Sequence, residues 1–158
     1  SKEEHERMIN DDRITTFFAK DTQSPCHSVH HWNQWLETLS SIKGPVHLTI
    51  DIDGLDGALV PATGTPVPGG LTYWQGRETI PTLFNAQNAV VVSADVNEIG
   101  VQNDSPLTQF TAAMLATNVV AAHVGARRRG AWKATDTTFA AGHPRMKSTE
   151  FFQSNGGE

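Results

Sequence analysis

The chain has 158 residues, with twelve Lys and Arg against seventeen Asp and Glu for a net charge of −5. That length suits one domain able to bury roughly 70% of its unfolded surface, and the acidic balance argues against a nucleic-acid or anionic-membrane partner. Cys26 stands alone, which rules out an intrachain disulfide and favours a reducing, cytoplasmic setting; no charged-then-apolar leader opens the chain, and no apolar run reads as long enough to span a bilayer.

Residues 2–10, KEEHERMIN, read as a short helix with acids in its first turn. Arg13–Ala19, RITTFFA, is β-branched and aromatic and predicts a short strand. Residues 22–27 are turn-like around Ser24-Pro25. From Val29 the apolar positions Val29, Trp32, Trp35 and Leu39 recur at three- and four-residue steps, a helix with one apolar face. Gly44-Pro45 stops it, and Val46–Asp51 is the next strand. Residues 61–70 hold three prolines and three glycines and are irregular. A helix fits Tyr73–Asn85, with a break expected at Pro81. Ala89–Val96, AVVVSADV, reads as a nearly continuous apolar strand buried on both faces. Pro106 opens a long helix, along which Leu107, Phe110, Met114, Ala121 and Val124 form one apolar stripe. Arg127-Arg128-Arg129 then complements the negative end of that helix. Residues 135–158 lose all periodicity and are expected to form an irregular tail after a domain spanning residues 1–134.

Strands alternating with helices imply a parallel sheet covered by helices. The strand 46–51 delivers Asp51 and Asp53 into the Pro/Gly/Thr-rich loop. A strand's period of two puts both on one side, at the carboxyl end, where open α/β sheets build their sites. Carboxylates suit hard or intermediate cations such as Mg²⁺ or Mn²⁺. Asp95 and Glu98 end the later strand, so adjacent strands would gather all four acids at one rim, although acids at such positions also serve as caps. An EF-hand is excluded, because Leu55, Asp56 and Ala62 occupy the positions that need an acid or Asn, Gly and Glu. Asp51-Ile52-Asp53-Gly54 resembles the opening of a haloacid-dehalogenase-type phosphatase, but Leu55 stands where that family has Thr.

A longer segment is more specific. DIDGLDGALVPATGTPVPGGL, followed by SADVNEIGVQNDSP, resembles the ureohydrolase family of arginases, agmatinases and related amidinohydrolases. The resemblance covers roughly residues 2–127. It implies a three-layer α/β/α fold with a mainly parallel sheet, of which this chain would be the C-terminal half. It also implies that Asp51 and Asp53 ligate a pair of Mn²⁺ ions. Glu98 would grip the planar guanidinium of a small guanidino substrate and act in its hydrolysis to urea and an amine, with Thr65 beside the substrate. Asp56 and Asp95 look like bracing acids. Gly57 stands where the family usually has proline, a change expected to loosen the loop.

The resemblance places the remaining metal ligands, a histidine and an Asp-x-His-x-Asp cluster, in a half that this chain does not show. His27, His30 and His31 flank the Trp-rich helix, His143 lacks a neighbouring acid, and His5, His47 and His123 read as isolated structural or surface residues. The chain is therefore expected to need a completing segment or a partner copy, as a homo-oligomer. Two alternatives are a phosphatase built on Asp51 and Asp53, and a non-catalytic remnant that serves in assembly.

Overall fold

The computed structural model describes residues 1–23, 28–101 and 106–130. Its elements are α1 (Lys2–Asn10), α2 (Ala19–Thr22), α3 (Ser28–Ser41), β1 (Lys43–Asp51), a one-turn 3₁₀ helix (Ile52–Gly54), α4 (Tyr73–Phe84), β2 (Asn88–Asn97) and α5 (Leu107–Arg128). Helix α1 forms for local reasons: the Ser1 hydroxyl accepts from the Glu4 N–H while the Glu4 side chain reaches back to Ser1, a capping box. It buries no residue. A second capping box, Thr72 with Gln75, starts α4.

The expected strand at Arg13–Ala19 does not form. Residues 14–18 are irregular and lead into the single turn of α2. The segment's aromatic character is spent on packing instead, since Phe17 meets Trp35 of α3 edge-on at 5.3 Å. Helix α4 is also continuous through Pro81 rather than broken there. Pro81 lies in its last turn, and its own carbonyl still accepts from the Asn85 N–H, so the missing donor costs one bond near an end.

Strand β1 pairs with β2 in parallel to form a two-stranded sheet. The register runs Val46↔Val91 and then His47↔Ser93, so Val92 is an extra residue on β2. This bulge changes the phase of the strand. Ala89 and Val91 are buried before it, whereas after it Val96 packs against the core in register with the half-buried Ile50, and Ala94, in register with Leu48, stays exposed. The expectation of a strand buried on both faces is thereby corrected. The outer face of the sheet carries the polar rows His47, Thr49, Asp51 and Ser93, Asp95, Asn97.

Helices α3, α4 and α5 cover the inner face. The core joins Leu39 of α3, Ile80, Leu83 and Phe84 of α4, Val91 of β2, and Ala112, Leu115 and Ala126 of α5 to Ile52, Leu55 and Val60 of the intervening loop. Trp35 donates its indole N–H to the Thr79 hydroxyl at 3.0 Å and Trp32 to Glu78 at 2.9 Å, which tie α3 to α4. The sheet and the helices on its inner face are two layers of the three that the sequence resemblance implies.

The long helix presents the opposite side from the one its apolar stripe predicts. Leu107, Phe110, Met114, Ala121 and Val124 are exposed, and Thr108, Thr111, Ala112, Leu115 and Ala126 are buried. Helix α5 is apolar nearly all round, so periodicity alone could not choose a face. Its small Ala and Thr residues allow the close approach to α4 and β2. By length and composition α5 could also cross a membrane, which corrects the expectation that no such run exists, although a core helix meets the same test. The predicted tail at 135–158 lies outside the described residues.

This orientation of α5 predicts opposite outcomes for two substitutions. Leu115→Ala is expected to lower unfolding free energy by about 2–5 kcal/mol, and Phe110→Ala to change it by no more than about 0.5 kcal/mol. Chemical denaturation of both variants measures this, and a larger loss for Phe110→Ala would contradict the orientation.

Candidate active site

Parallel pairing brings the carboxyl ends of β1 and β2 to one rim, with Asp51 opposite Asn97 and Glu98 next along the chain. Strand β1 ends at Asp51, so Asp53 belongs to the 3₁₀ turn rather than to the strand. The two-residue alternation therefore does not explain their placement. What fixes them is Ile52, fully buried between an exposed Asp51 and a half-exposed Asp53. The buried side chain anchors the turn and leaves both carboxylates outside the core.

The loop after them is irregular, as its composition predicts, yet heavily bonded. Leu55 bridges Leu71 in parallel fashion, with Asp56 N–H donating to Leu71 O and Leu71 N–H to Gly54 O, each at 3.0 Å. A Cβ on Gly70 would lie 2.4 Å from the Leu55 carbonyl carbon, so only glycine fits there. Gly57 donates its N–H to Val67 O at 2.8 Å. Proline has no N–H to offer, so glycine at this position adds a tie rather than loosening the loop, contrary to expectation. The buried Thr108 of α5 accepts from the Ala62 N–H at 2.9 Å and pins the loop's middle to the core.

Asp56 braces this loop by accepting from the backbone N–H groups of Ala58 and Gly69 at 2.9 and 2.8 Å. Those two bonds, Ala58's first, hold its carboxyl below the ordinary aspartate range. Thr65 donates its hydroxyl to Asp53 at 2.6 Å, so the loop is closed onto the rim. Glu98 completes the group. A Cβ built on Gly64 would stand 3.6 Å from a Glu98 carboxylate oxygen, which places that carboxylate against the Thr63-Gly64-Thr65 segment. Glu98 has φ +61°, the one left-handed non-glycine residue among those described, a conformation costing about 1–3 kcal/mol. Asp51, Asp53, Thr65 and Glu98 thus share one rim.

Asp95 does not join them. It faces the outer row, where it accepts from the Thr49 hydroxyl at 2.7 Å and the Asn97 amide at 2.6 Å and lies 2.9 Å from His47 Nε2. The Thr49 bond above all, with Asn97 and His47 adding to it, keeps its carboxyl low against a partial burial that pushes it up. The other ring nitrogen of His47 lies 2.7 Å from the Ser93 hydroxyl. His47 is therefore not isolated. The signal was the matched period-two polarity of His47-x-Thr49-x-Asp51 and Ser93-x-Asp95-x-Asn97, legible only once the bulge at Val92 is known.

Two carboxylates suit a divalent cation such as Mn²⁺ in donor type. Among the described residues, however, no group of three or more His, Cys, Asp or Glu side chains could hold a metal ion. A binuclear centre would need ligands beyond these. His27 and His143 lie outside the described residues.

The family model for the arginase family matches residues 1–122, and the chain belongs to that family. It is 39% identical over 93 residues to the hepatic arginase of Aquarana catesbeiana, covering 56% of this chain and 27% of that protein. It is 34% identical over 91 residues to the agmatinase of Pyrococcus horikoshii, covering 58% of this chain and 31% of that protein. A crystal structure of a hypothetical agmatinase from Burkholderia thailandensis superposes with a TM-score of 0.57 and 32% identity over 77% of this chain and 37% of that one. The matched segment spans about a third or less of these two curated relatives. The phosphatase alternative is set aside, because this match takes in Asp51 and Asp53 themselves.

The Asp56 brace has a pH signature. A carboxyl lowered in the folded state contributes stability that is complete above the unfolded value and lost as pH falls through the lowered folded one. Carbon-13 titration of the Asp56 carboxyl is expected to give a midpoint below that of the unfolded chain, with the Ala58 and Gly69 amides titrating in step. A midpoint at or above the unfolded value contradicts the brace.

Proposed function

We propose that this chain carries part of the site of a metal-dependent amidinohydrolase of the agmatinase or arginase type. The observation that supports it most is the grouping of Asp53, Thr65 and Glu98 around one tied loop at the carboxyl rim. Family membership adds to it. Glu98 offers a carboxylate to the guanidinium, a planar cation that such a group can meet with paired hydrogen bonds. Thr65 holds Asp53 in place through its hydroxyl and lines the substrate's approach. Asp51 and Asp53 supply two oxygen ligands for Mn²⁺, whose other ligands come from a completing segment or a partner copy. When bound, such a metal lowers the pKa of water toward neutrality.

The overall reaction adds water across the guanidinium carbon and breaks one C–N bond. Urea leaves with the oxygen, and the amine departs with the proton. An exposed apolar stripe on α5 and the outer face of the sheet, which no described helix covers, fit an association that covers both. The partner we favour is the remainder of a ureohydrolase fold or further copies of the chain.

Urea release from agmatine and from arginine, with saturating Mn²⁺, is the direct test. Asp53→Asn is expected to cut the rate at least about a hundredfold, and an aryl phosphate is expected to be left intact. Equal rates in wild type and variant would remove Asp53 from the metal role. Absence of urea with every guanidine would favour the assembly remnant.

A further inference from the structure

Two bonds join the loop before Thr65 to the residues that end β2. The Thr63 hydroxyl donates to the Glu98 carbonyl at 2.7 Å, and the Gly100 N–H donates to the Ala62 carbonyl at 2.8 Å. The second bond tolerates only glycine at 100, where a Cβ would come within 2.6 Å of the Ala62 carbonyl oxygen. The first bond ends on Glu98, the residue whose backbone is left-handed, and only Ile99 separates it from the second. A non-glycine residue stays in that region only when its surroundings over-determine it. The residue is exposed and its carboxylate makes no hydrogen bond or ion pair among the described residues, so the backbone decides where it goes.

We infer that Thr63 is a positioning residue: its hydroxyl, with the Gly100–Ala62 bond, locks Glu98 in the left-handed conformation that lays its carboxylate against Gly64. The inference rests on the role proposed above for Glu98. The chain leaves β2 at Asn97 in extended form, and an extended Glu98 would continue the strand direction past the loop. The left-handed turn brings the carboxylate back against Gly64, the residue before Thr65. The Thr63 hydroxyl acts on the Glu98 carbonyl alone, so a substitution that keeps the hydroxyl should preserve the turn, and an isosteric one that removes it should not.

The test compares wild type, Thr63→Val and Thr63→Ser as whole chains by NMR, without metal or substrate. In wild type the intraresidue amide-to-Hα cross-peak of Glu98 is expected to be strong, the signature of positive φ. Thr63→Val is expected to weaken it and to raise amide exchange at Gly100 about tenfold, while Thr63→Ser restores both. An unchanged Glu98 signature in Thr63→Val overturns the inference. So does a Thr63→Ser variant that behaves like valine, or a collapse of the whole spectrum, since the bond is assigned to one junction. A parallel agmatine titration separates the two levels. Thr63→Val should weaken the response of the Glu98 amide about fivefold, with rescue by serine, and Glu98→Gln should abolish it. Identical responses in wild type and Glu98→Gln contradict the guanidinium role, whatever the backbone readout shows.

Discussion

Parallel hydrogen bonding between β1 and β2 is the constraint on which the rest depends. Antiparallel strands would send their carboxyl ends to opposite rims. Here both ends emerge together, with Asp51 opposite Asn97 and the turn at Glu98 immediately after Asp51's partner. The bulge at Val92 completes the arrangement. Without it Asp51 would face Val96, and the outer row of Ser93, Asp95 and Asn97 would point into the helices. One extra residue sorts apolar side chains inward and polar ones outward over the last half of the strand.

The rim is then made rigid from beneath and from the side. Ile52 is sealed in the core between the two aspartates, and Thr108 of α5 holds the loop at Ala62. Asp56, Gly57 and Gly70 close the loop on itself. A segment with this much proline and glycine has little regular structure to lean on, so side chain to backbone bonds and close approaches take over. The strained residue, Glu98, lies where that bracing converges. Strain held at a site by its surroundings is a frequent way of pre-setting a functional group.

Much of this was legible in the sequence. Trp32, Trp35 and Leu39 marked α3, and the strand, the loop and the family resemblance all pointed to residues 51–65 and 98. Four things were hidden. The phase change in Ala89–Val96 cannot be seen in a run of valines, because every position looks apolar. The buried face of α5 is its small-residue face, whereas hydrophobicity scales favour Phe110 and Met114 on the exposed side. Residues 13–19 have strand-forming side chains but no strand beside them among the described residues, so tertiary packing on Trp35 prevailed over propensity. Thr63 escaped notice because its role depends on a backbone carbonyl thirty-five positions away.

The shared rim is most directly tested by substoichiometric Mn²⁺, whose paramagnetism broadens amides near wherever it settles, even at weak affinity. Broadening is predicted to appear first at residues 51–54, 63–65 and 97–99 together, and to vanish from all three segments in Asp53→Asn. Broadening centred on the acidic first turn of α1, or at residues 51–54 without the other two segments, would contradict a common rim.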